Sequence, residues 1–306
     1  MRFFDGHCDT ASEILNKNQG LLKNNLHLDI QRLEKFEDFT QVFAVFISPE
    51  HYCAPMERCK SIIENFKTEL EKCHIPLWES GEMPKKSPRA ILSLEGGEPI
   101  GDIADLDTLA SLGIRMIAPT WNHKNRLGCG VMEAEDKGLT DFGKQVIKRC
   151  FELGIIPDIS HCSVQSADEI LSIAERKGRA VIASHSCAYG VHSHPRNLRD
   201  EQFLRIKELG GVVGLSLCAY HLVSEKEKCT IEDILRHFEH YLSLGGEDMT
   251  CFGADMDGAP MPSGILGIES LPFIYNRLCQ EFGKEISDKI TYNNAYIFMK
   301  KMGINA

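Results

Sequence analysis

The chain has 306 residues, enough for one large domain or two average ones, and its 43% hydrophobic and 25% charged content matches globular proteins that bury a sizeable core. That composition excludes disordered, collagenous and fibrous classes. With 34 Lys and Arg against 44 Asp and Glu the net charge is −10, which argues against nucleic acid or an anionic membrane surface as partner and favours a small molecule.

Short β-branched or apolar runs alternate with longer amphipathic stretches. Strands are predicted, in chain order, at 2–8, 41–48, 90–95, 114–120, 155–160, 180–185, 212–217 and 251–255. Helices are predicted between most of them, at 55–74, 102–112, 140–153, 163–177, 198–209 and 231–244, and two more, 271–282 and 287–302, follow the last strand. Thr140 and Ser163 stand as N-caps, and Gly113, Gly154, Gly178 and Gly210 as stops. The stretch 81–88 reads as a loop. Eight β-then-α repeats with nearly continuous apolar strands predict parallel strands buried on both faces. The expected architecture is an α/β fold, a closed (β/α)8 TIM barrel forming a single domain over 1–306, with its site at the C-terminal ends of the strands. A doubly wound nucleotide-binding sheet has no support, because no G-x-G-x-x-G or G-x-x-x-x-G-K-[ST] follows a strand.

Twelve cysteines are scattered without any C-x-x-C pair. The start, Met1-Arg2-Phe3-Phe4-Asp5-Gly6-His7, has no apolar stretch of signal-peptide length, and the early apolar run at 42–47 is far short of the about 20 residues of a membrane span. Reduced thiols, a cytoplasmic location and no membrane partner are expected, with self-association left open.

Metal-binding side chains recur at the predicted strand ends: His7-Cys8-Asp9, Glu95-Gly96-Gly97, Asp158-Ile159-Ser160-His161, Ser184-His185-Ser186 and Ala254-Asp255-Met256-Asp257. Each is weak alone; their coincidence at one end of five strands points to a metal site. In a strand, residues i and i+2 share a face, so His7 and Asp9 can converge on one ion. His7, Asp9, Glu95, His161 and His185 supply nitrogen and oxygen donors that suit zinc, and they are too many for one four-coordinate ion with an open position. Two zinc ions are therefore expected, roughly 3.5 to 4 Å apart, with a carboxylate bridge and a hydroxide nucleophile between them. Glu95 is the bridging candidate, because Gly96 and Gly97 let the backbone turn sharply beside it. Arg196, eleven residues beyond His185, carries a guanidinium fork suited to a carboxylate. Asp158, His192, His194 and Asp257 are expected to orient other groups through hydrogen bonds, and Trp121 to wall the pocket.

These segments, together with Asp5-Gly6 before His7, His194-Pro195-Arg196-Asn197 and Gly253 to Gly258, resemble the signature set of the renal (membrane) dipeptidase family of zinc peptidases over nearly the whole chain. The resemblance implies a barrel metallohydrolase that cleaves dipeptides, commonly tolerant of a D-residue at the second position. Carried over position by position, it implies that His7 and Asp9 bind one zinc, His161 and His185 the other, and Glu95 both. It further implies that Asp255 is the catalytic acid/base and that Arg196 grips the substrate carboxylate. Cys8 stands where the family commonly has Asn. Many members also have a substrate-contacting His directly after the Thr of the fourth strand. Here Thr120 is followed by Trp121-Asn122-His123, which makes His123 the substrate-binding candidate from a shifted place. The mammalian enzymes are lipid-anchored, whereas this chain ends Lys300-Lys301-Met302-Gly303-Ile304-Asn305-Ala306 without an apolar tail, in keeping with the cytoplasmic expectation.

The rival reading is another binuclear amidohydrolase-type barrel acting on a cyclic amide or lactone. Such enzymes usually carry H-x-H on the first strand and a carboxylated Lys after the fourth; this chain has H-x-D and ends that strand Ala118-Pro119-Thr120. A catalytically silent peptide-binding barrel is disfavoured, because none of the matched metal-site positions is lost.

Overall fold

The computed structural model describes residues 1–79 and 81–304; Asn305 and Ala306, the end of the 300–306 tail, lie outside the described residues. One all-parallel sheet is built from β1 (Arg2–Cys8), β2 (Asp38–Phe46), β3 (Arg89–Glu95), β4 (Ile114–Ala118), β5 (Ile156–Pro157), β6 (Val213–Leu215) and β7 (Thr250–Phe252), in the order β5-β4-β3-β2-β1-β7-β6. These runs read as nearly unbroken hydrophobic sequence because both faces are covered, and β3 and β4 are buried at every residue. Phe4, Val42, Ile91, Met116, Ile156 and Cys251, one from each of six strands, form a layer inside the curl, closed by Trp78, Tyr292 and Phe298. Phe3, Phe39 and Phe43 face the other way, into the larger core shared with the helices.

The expected closed eight-stranded barrel is not what forms. The sheet has seven strands and is curled and open, with β5 and β6 at its edges. Residues 180–185, expected as a strand, make only the isolated bridges Asp158↔Ile182 and Ala183↔Val213. Ile182 and Ala183 still donate to the backbone carbonyls of Pro157 at 3.1 Å and Val212 at 3.2 Å, but beyond them side-chain oxygens take the N–H groups. The Asp158 carboxylate accepts the Ser184 and Ser160 N–H groups, both at 2.9 Å, and Ser160 Oγ accepts the His185 N–H at 3.1 Å. The Ser184 carbonyl is wedged so tightly against β6 and the end of β7 that a Cβ on Gly214 or Gly253 would lie 2.0 or 1.7 Å from it.

Around the sheet run α1 (Thr10–Asn16), α2 (Ile30–Leu33), α3 (Pro55–Lys72), α4 (Ala104–Ser111), α5 (Asp141–Glu152), α6 (Val164–Lys177), α7 (Asp200–Glu208), α8 (Ala219–Leu222), α9 (Ile231–Ser243), α10 (Leu271–Asp288) and α11 (Asn294–Ile304). Thr140 caps α5 by accepting the Gly143 N–H, Ser163 caps α6 by accepting the Ser166 N–H, and α6 stops at left-handed Gly178. The short α1, α2 and α8 escape periodicity because they span two turns or fewer. The boundary expected between 282 and 287 is bridged: α10 continues past Gly283, whose φ of 79° kinks it, and a π-helical segment, Lys289–Asn293, leads into α11. Among the described residues no helix is long and apolar enough to cross a membrane.

Candidate active site

The C-terminal ends of the strands gather six side chains. β1 pairs with β2 in register up to Asp5, then slips before Cys8, and the chain beyond delivers His7 and Asp9 to one place, Nε2 to Oδ2 at 3.5 Å. Glu95, the last residue of β3, sits between two groups of nitrogens. Its Oε2 lies 3.4 Å from His7 Nε2, while its Oε1 lies 2.6 Å from His161 Nε2 and 3.8 Å from His185 Nε2. Asp255 Oδ1 is 4.0 Å from His7 Nε2. The His7 and His185 rings stack with centroids 3.8 Å apart.

His161, Asp255 and Asp257 hold φ values of 67°, 62° and 67°. Side chains other than Gly seldom adopt this left-handed conformation, and it concentrates where function fixes the backbone. Gly258 closes the loop over the acids, since a Cβ there would sit 2.0 Å from Asp9 Oδ2 and 2.5 Å from Asp255 Oδ1. Asp257 anchors the same loop through Thr10 Oγ1 at 2.5 Å and the His27 N–H at 2.7 Å.

All six residues are buried, so their charges are strongly coupled. Burial works against a charge on His7, but the Glu95 and Asp9 carboxylates outweigh it and hold the ring well above the usual histidine range. Burial also raises Glu95, yet the imidazoles around it, of which His7 is the one that keeps its charge, pull it well below the usual carboxylate range. Asp9 is pushed up to about 7 by burial and then by the charge of Glu95. Burial raises Asp255 to about 6, with His7 opposing. His161 is lowered to about 4 by burial and by Arg196, and His185 falls well below its ordinary value through burial and His7. His7 is therefore the ring that keeps a proton, while His161 and His185 remain neutral.

Whether these residues suit a metal is testable on their unpaired atoms. His7 Nε2 and Asp9 Oδ1 are buried without a hydrogen-bond partner, a costly condition that a cation relieves. His7, Glu95 and His185 offer ligand atoms that all lie within 4.8 Å of one another, as do His7, Asp9 and Asp255. Zinc–ligand bonds of about 2.0 to 2.1 Å in tetrahedral array separate ligand atoms by about 3.3 Å, close to the His7–Asp9 and His7–Glu95 spacings. The outer nitrogens are oriented too: His185 Nδ1 meets Ser184 Oγ at 2.7 Å and His161 Nδ1 meets Asn122 Oδ1 at 2.9 Å.

Beside this cluster opens a cavity of 430 Å³ whose wall includes Phe46, Trp121, Asn122, Tyr220 and His221. Arg196 is not among the residues that line it; the side chain is buried, donating to the His185 carbonyl at 3.2 Å and Ser186 Oγ at 3.3 Å, with its Nε unpartnered. His123 does not join the site. Its side chain is 67% exposed and pairs with Glu133 at 3.2 Å, while its neighbour Asn122 lines the cavity. Phe46, Asn122, Tyr220, His221 and Gly258 are cavity residues that sequence reasoning did not single out. Asn122 and His221 lie two and four residues past predicted strand ends, the one available signal.

The family model of the membrane dipeptidases, peptidase family M19, matches residues 1–303. The chain is similar to the "Uncharacterized protein in pqqA 5'region" of Klebsiella pneumoniae, 29% identical over 204 residues that make up 63% of this chain and 74% of that protein. Among solved structures its fold is similar to that of dipeptidase AC, a metallopeptidase of family M19, with a TM-score of 0.89 and 23% identity over 99% of both chains. It is likewise similar to a metallopeptidase from Rhodobacter sphaeroides liganded with a phosphinate mimic of the dipeptide L-Ala-D-Ala, with a TM-score of 0.84 and 24% identity over 99% of both chains. At such identities the structural likeness establishes the fold, and it is the match along residues 1–303 that decides membership: the chain belongs to the membrane dipeptidase family, peptidase family M19.

Proposed function

We propose that this metallo-dipeptidase hydrolyses the amide bond of dipeptides, including those with a D-residue at the C-terminal position, and uses two zinc ions. His7 and Asp9 would hold one ion, His161 and His185 the other, and Glu95 both. The observation that carries this reading is the division of Glu95, with Oε2 turned to His7 at 3.4 Å and Oε1 to His161 at 2.6 Å. Bound ions would polarise the scissile carbonyl and make a water molecule nucleophilic at neutral pH.

The chain's own groups carry the remaining steps. Asp255, raised to about 6 by burial, titrates near neutrality, so its carboxylate can take a proton and return it to the leaving nitrogen. Arg196, with a buried Nε that nothing else satisfies, binds the free carboxylate of the substrate. Phe46 and Trp121, rings 5.1 Å apart, form an apolar wall that limits water beside the reacting bond. The Rhodobacter relative, liganded with a mimic of L-Ala-D-Ala, supports acceptance of the D-residue. Twelve free cysteines agree with a reducing, cytoplasmic setting.

A panel of L-L and L-D dipeptides, incubated with metal-free and zinc-loaded protein while released amino acid is quantified, tests the proposal. Hydrolysis that appears only with zinc is expected. A zinc-loaded protein that releases nothing from any member overturns it.

A further inference from the structure

The short helix α8 brings Tyr220 and His221 into the cavity wall, and Cys218 precedes them. His221 Nδ1 is shielded from solvent and has no partner in the protein. No hydrogen bond to it comes from its neighbours: His194 Nδ1 accepts the Arg196 N–H at 3.2 Å, and the Asn197 side-chain NH2 donates to the carbonyls of His192 and His221 while its Oδ1 is likewise left without a partner. The ring is firmly seated. It packs on His194 with centroids 5.0 Å apart, the Ala219 N–H reaches the Pro260 carbonyl at 2.9 Å, and His237 Nε2 meets the Leu222 carbonyl at 3.0 Å. A buried ring nitrogen with no partner, on a fixed ring that lines a cavity, is matched to something the cavity receives.

Electrostatics decide what that is. The cavity wall includes the carboxylates of Asp9, Glu13, Glu95, Asp255 and Asp257. In the zinc-loaded enzyme Asp9 and Glu95 would be taken up by the ions that face the scissile carbonyl, which leaves the C-terminal carboxylate to the part of the site where the imidazoles of His194 and His221 and the Arg196 guanidinium gather. Burial keeps His221 uncharged, and among nearby charges Arg196 acts on it most strongly, so the ring serves as a neutral hydrogen-bond donor close to a fixed cation.

We propose that His221 is a substrate-binding residue that hydrogen-bonds to the C-terminal carboxylate of the dipeptide beside Arg196. This rests on the dipeptidase reading above and adds a second anchor for the same group.

The test compares wild type with His221→Phe, which keeps a ring and removes both nitrogens, and His221→Asn, which keeps a donor. Affinity for the phosphinate mimic of L-Ala-D-Ala is measured by calorimetry, and KM and kcat are measured on a dipeptide and on its C-terminal amide. The phenylalanine variant is expected to lose about 10- to 150-fold in phosphinate affinity, the range for a hydrogen bond to a charged group. Its KM for the free acid should rise similarly, with kcat within about threefold, zinc content unchanged and KM for the amide unmoved. Asparagine should recover most of the loss. Thermal unfolding checks the fold of each variant, and His221→Ala answers the same question if phenylalanine is not accommodated. Wild-type phosphinate affinity in the variant, or equal losses on acid and amide, overturns the proposal. If wild type cleaves dipeptides in that case, only the role of His221 falls; if zinc-loaded wild type cleaves none, the dipeptidase reading falls with it.

Discussion

The Nε2 atoms of His161 and His185 face each other across 2.9 Å, and both lie near Oε1 of Glu95. His161 Nδ1 is opposite the side-chain oxygen Oδ1 of Asn122, an acceptor, so the neutral ring carries its proton there and presents a bare lone pair at Nε2. Burial keeps both imidazoles neutral. His185 Nε2 can donate to that lone pair, and a cation shared with the Glu95 oxygen would take both nitrogens as ligands instead.

Purified protein is therefore expected to contain two zinc ions per chain, measured by elemental analysis. Glu95→Gln, which removes the charge shared by both nitrogen groups, should lose at least one of them. A wild-type content near one metal per chain would remove the shared-carboxylate arrangement.

Arg196 is buried with a free Nε, and removing its carboxylate partner should be felt as a lost charge-assisted bond. Amidating the dipeptide C-terminus is expected to cost wild type about 1.5 to 3 kcal/mol in kcat/KM, or about 10- to 150-fold. Arg196→Ala should be similarly impaired on the free acid and nearly indifferent to amidation. Equal sensitivity in both proteins would leave Arg196 as a brace for the His185 carbonyl.

Asp255→Asn keeps the size and a carbonyl but cannot relay a proton. Both zinc ions should remain and dipeptide should still bind, while kcat falls by about 10² to 10⁴. Metal analysis of the same variant is decisive in the other direction, because Asp255 Oδ1 lies 4.0 Å from His7 Nε2. If an ion is lost, Asp255 is a ligand and another group moves the proton.

Asp5 is fully buried, and burial raises its carboxyl to about 6 although the Ala254 N–H and Gln41 donate to it. Because its folded value lies above the unfolded one, its contribution is complete below about pH 4 and is lost as pH rises through 6. Asp5→Asn cannot ionise, and Gln41 Oε1, which has no partner, can turn to accept the new N–H. In chelator-treated protein, urea unfolding should find the variant more stable than wild type at pH 8 by on the order of 1 to 3 kcal/mol. The difference should fade near pH 4. Equal destabilisation at both values would show that the carboxylate's two hydrogen bonds matter more than its charge.

Most of the fold was legible because strand and helix periodicities are local. The 2–8 run became β1 without change, 90–95 differs from β3 by one residue, and the caps at Thr140 and Ser163 start α5 and α6. His7, Asp9, Glu95, His161, His185 and Asp255 could be grouped from sequence because each follows or ends an apolar run, and parallel strands carry such ends to one side. Closure of the sheet was not legible. Residues 180–185 have the composition of a strand, and only contact with Asp158 and Ser160, more than twenty residues earlier in the chain, turns the N–H groups of Ser184 and His185 to side chains. Nor could composition separate Asn122 from His123. One residue apart on the same loop, the first reaches His161 and the second turns out to Glu133, a choice made by the path of the backbone between β4 and α5 and by the contacts that only the folded chain provides.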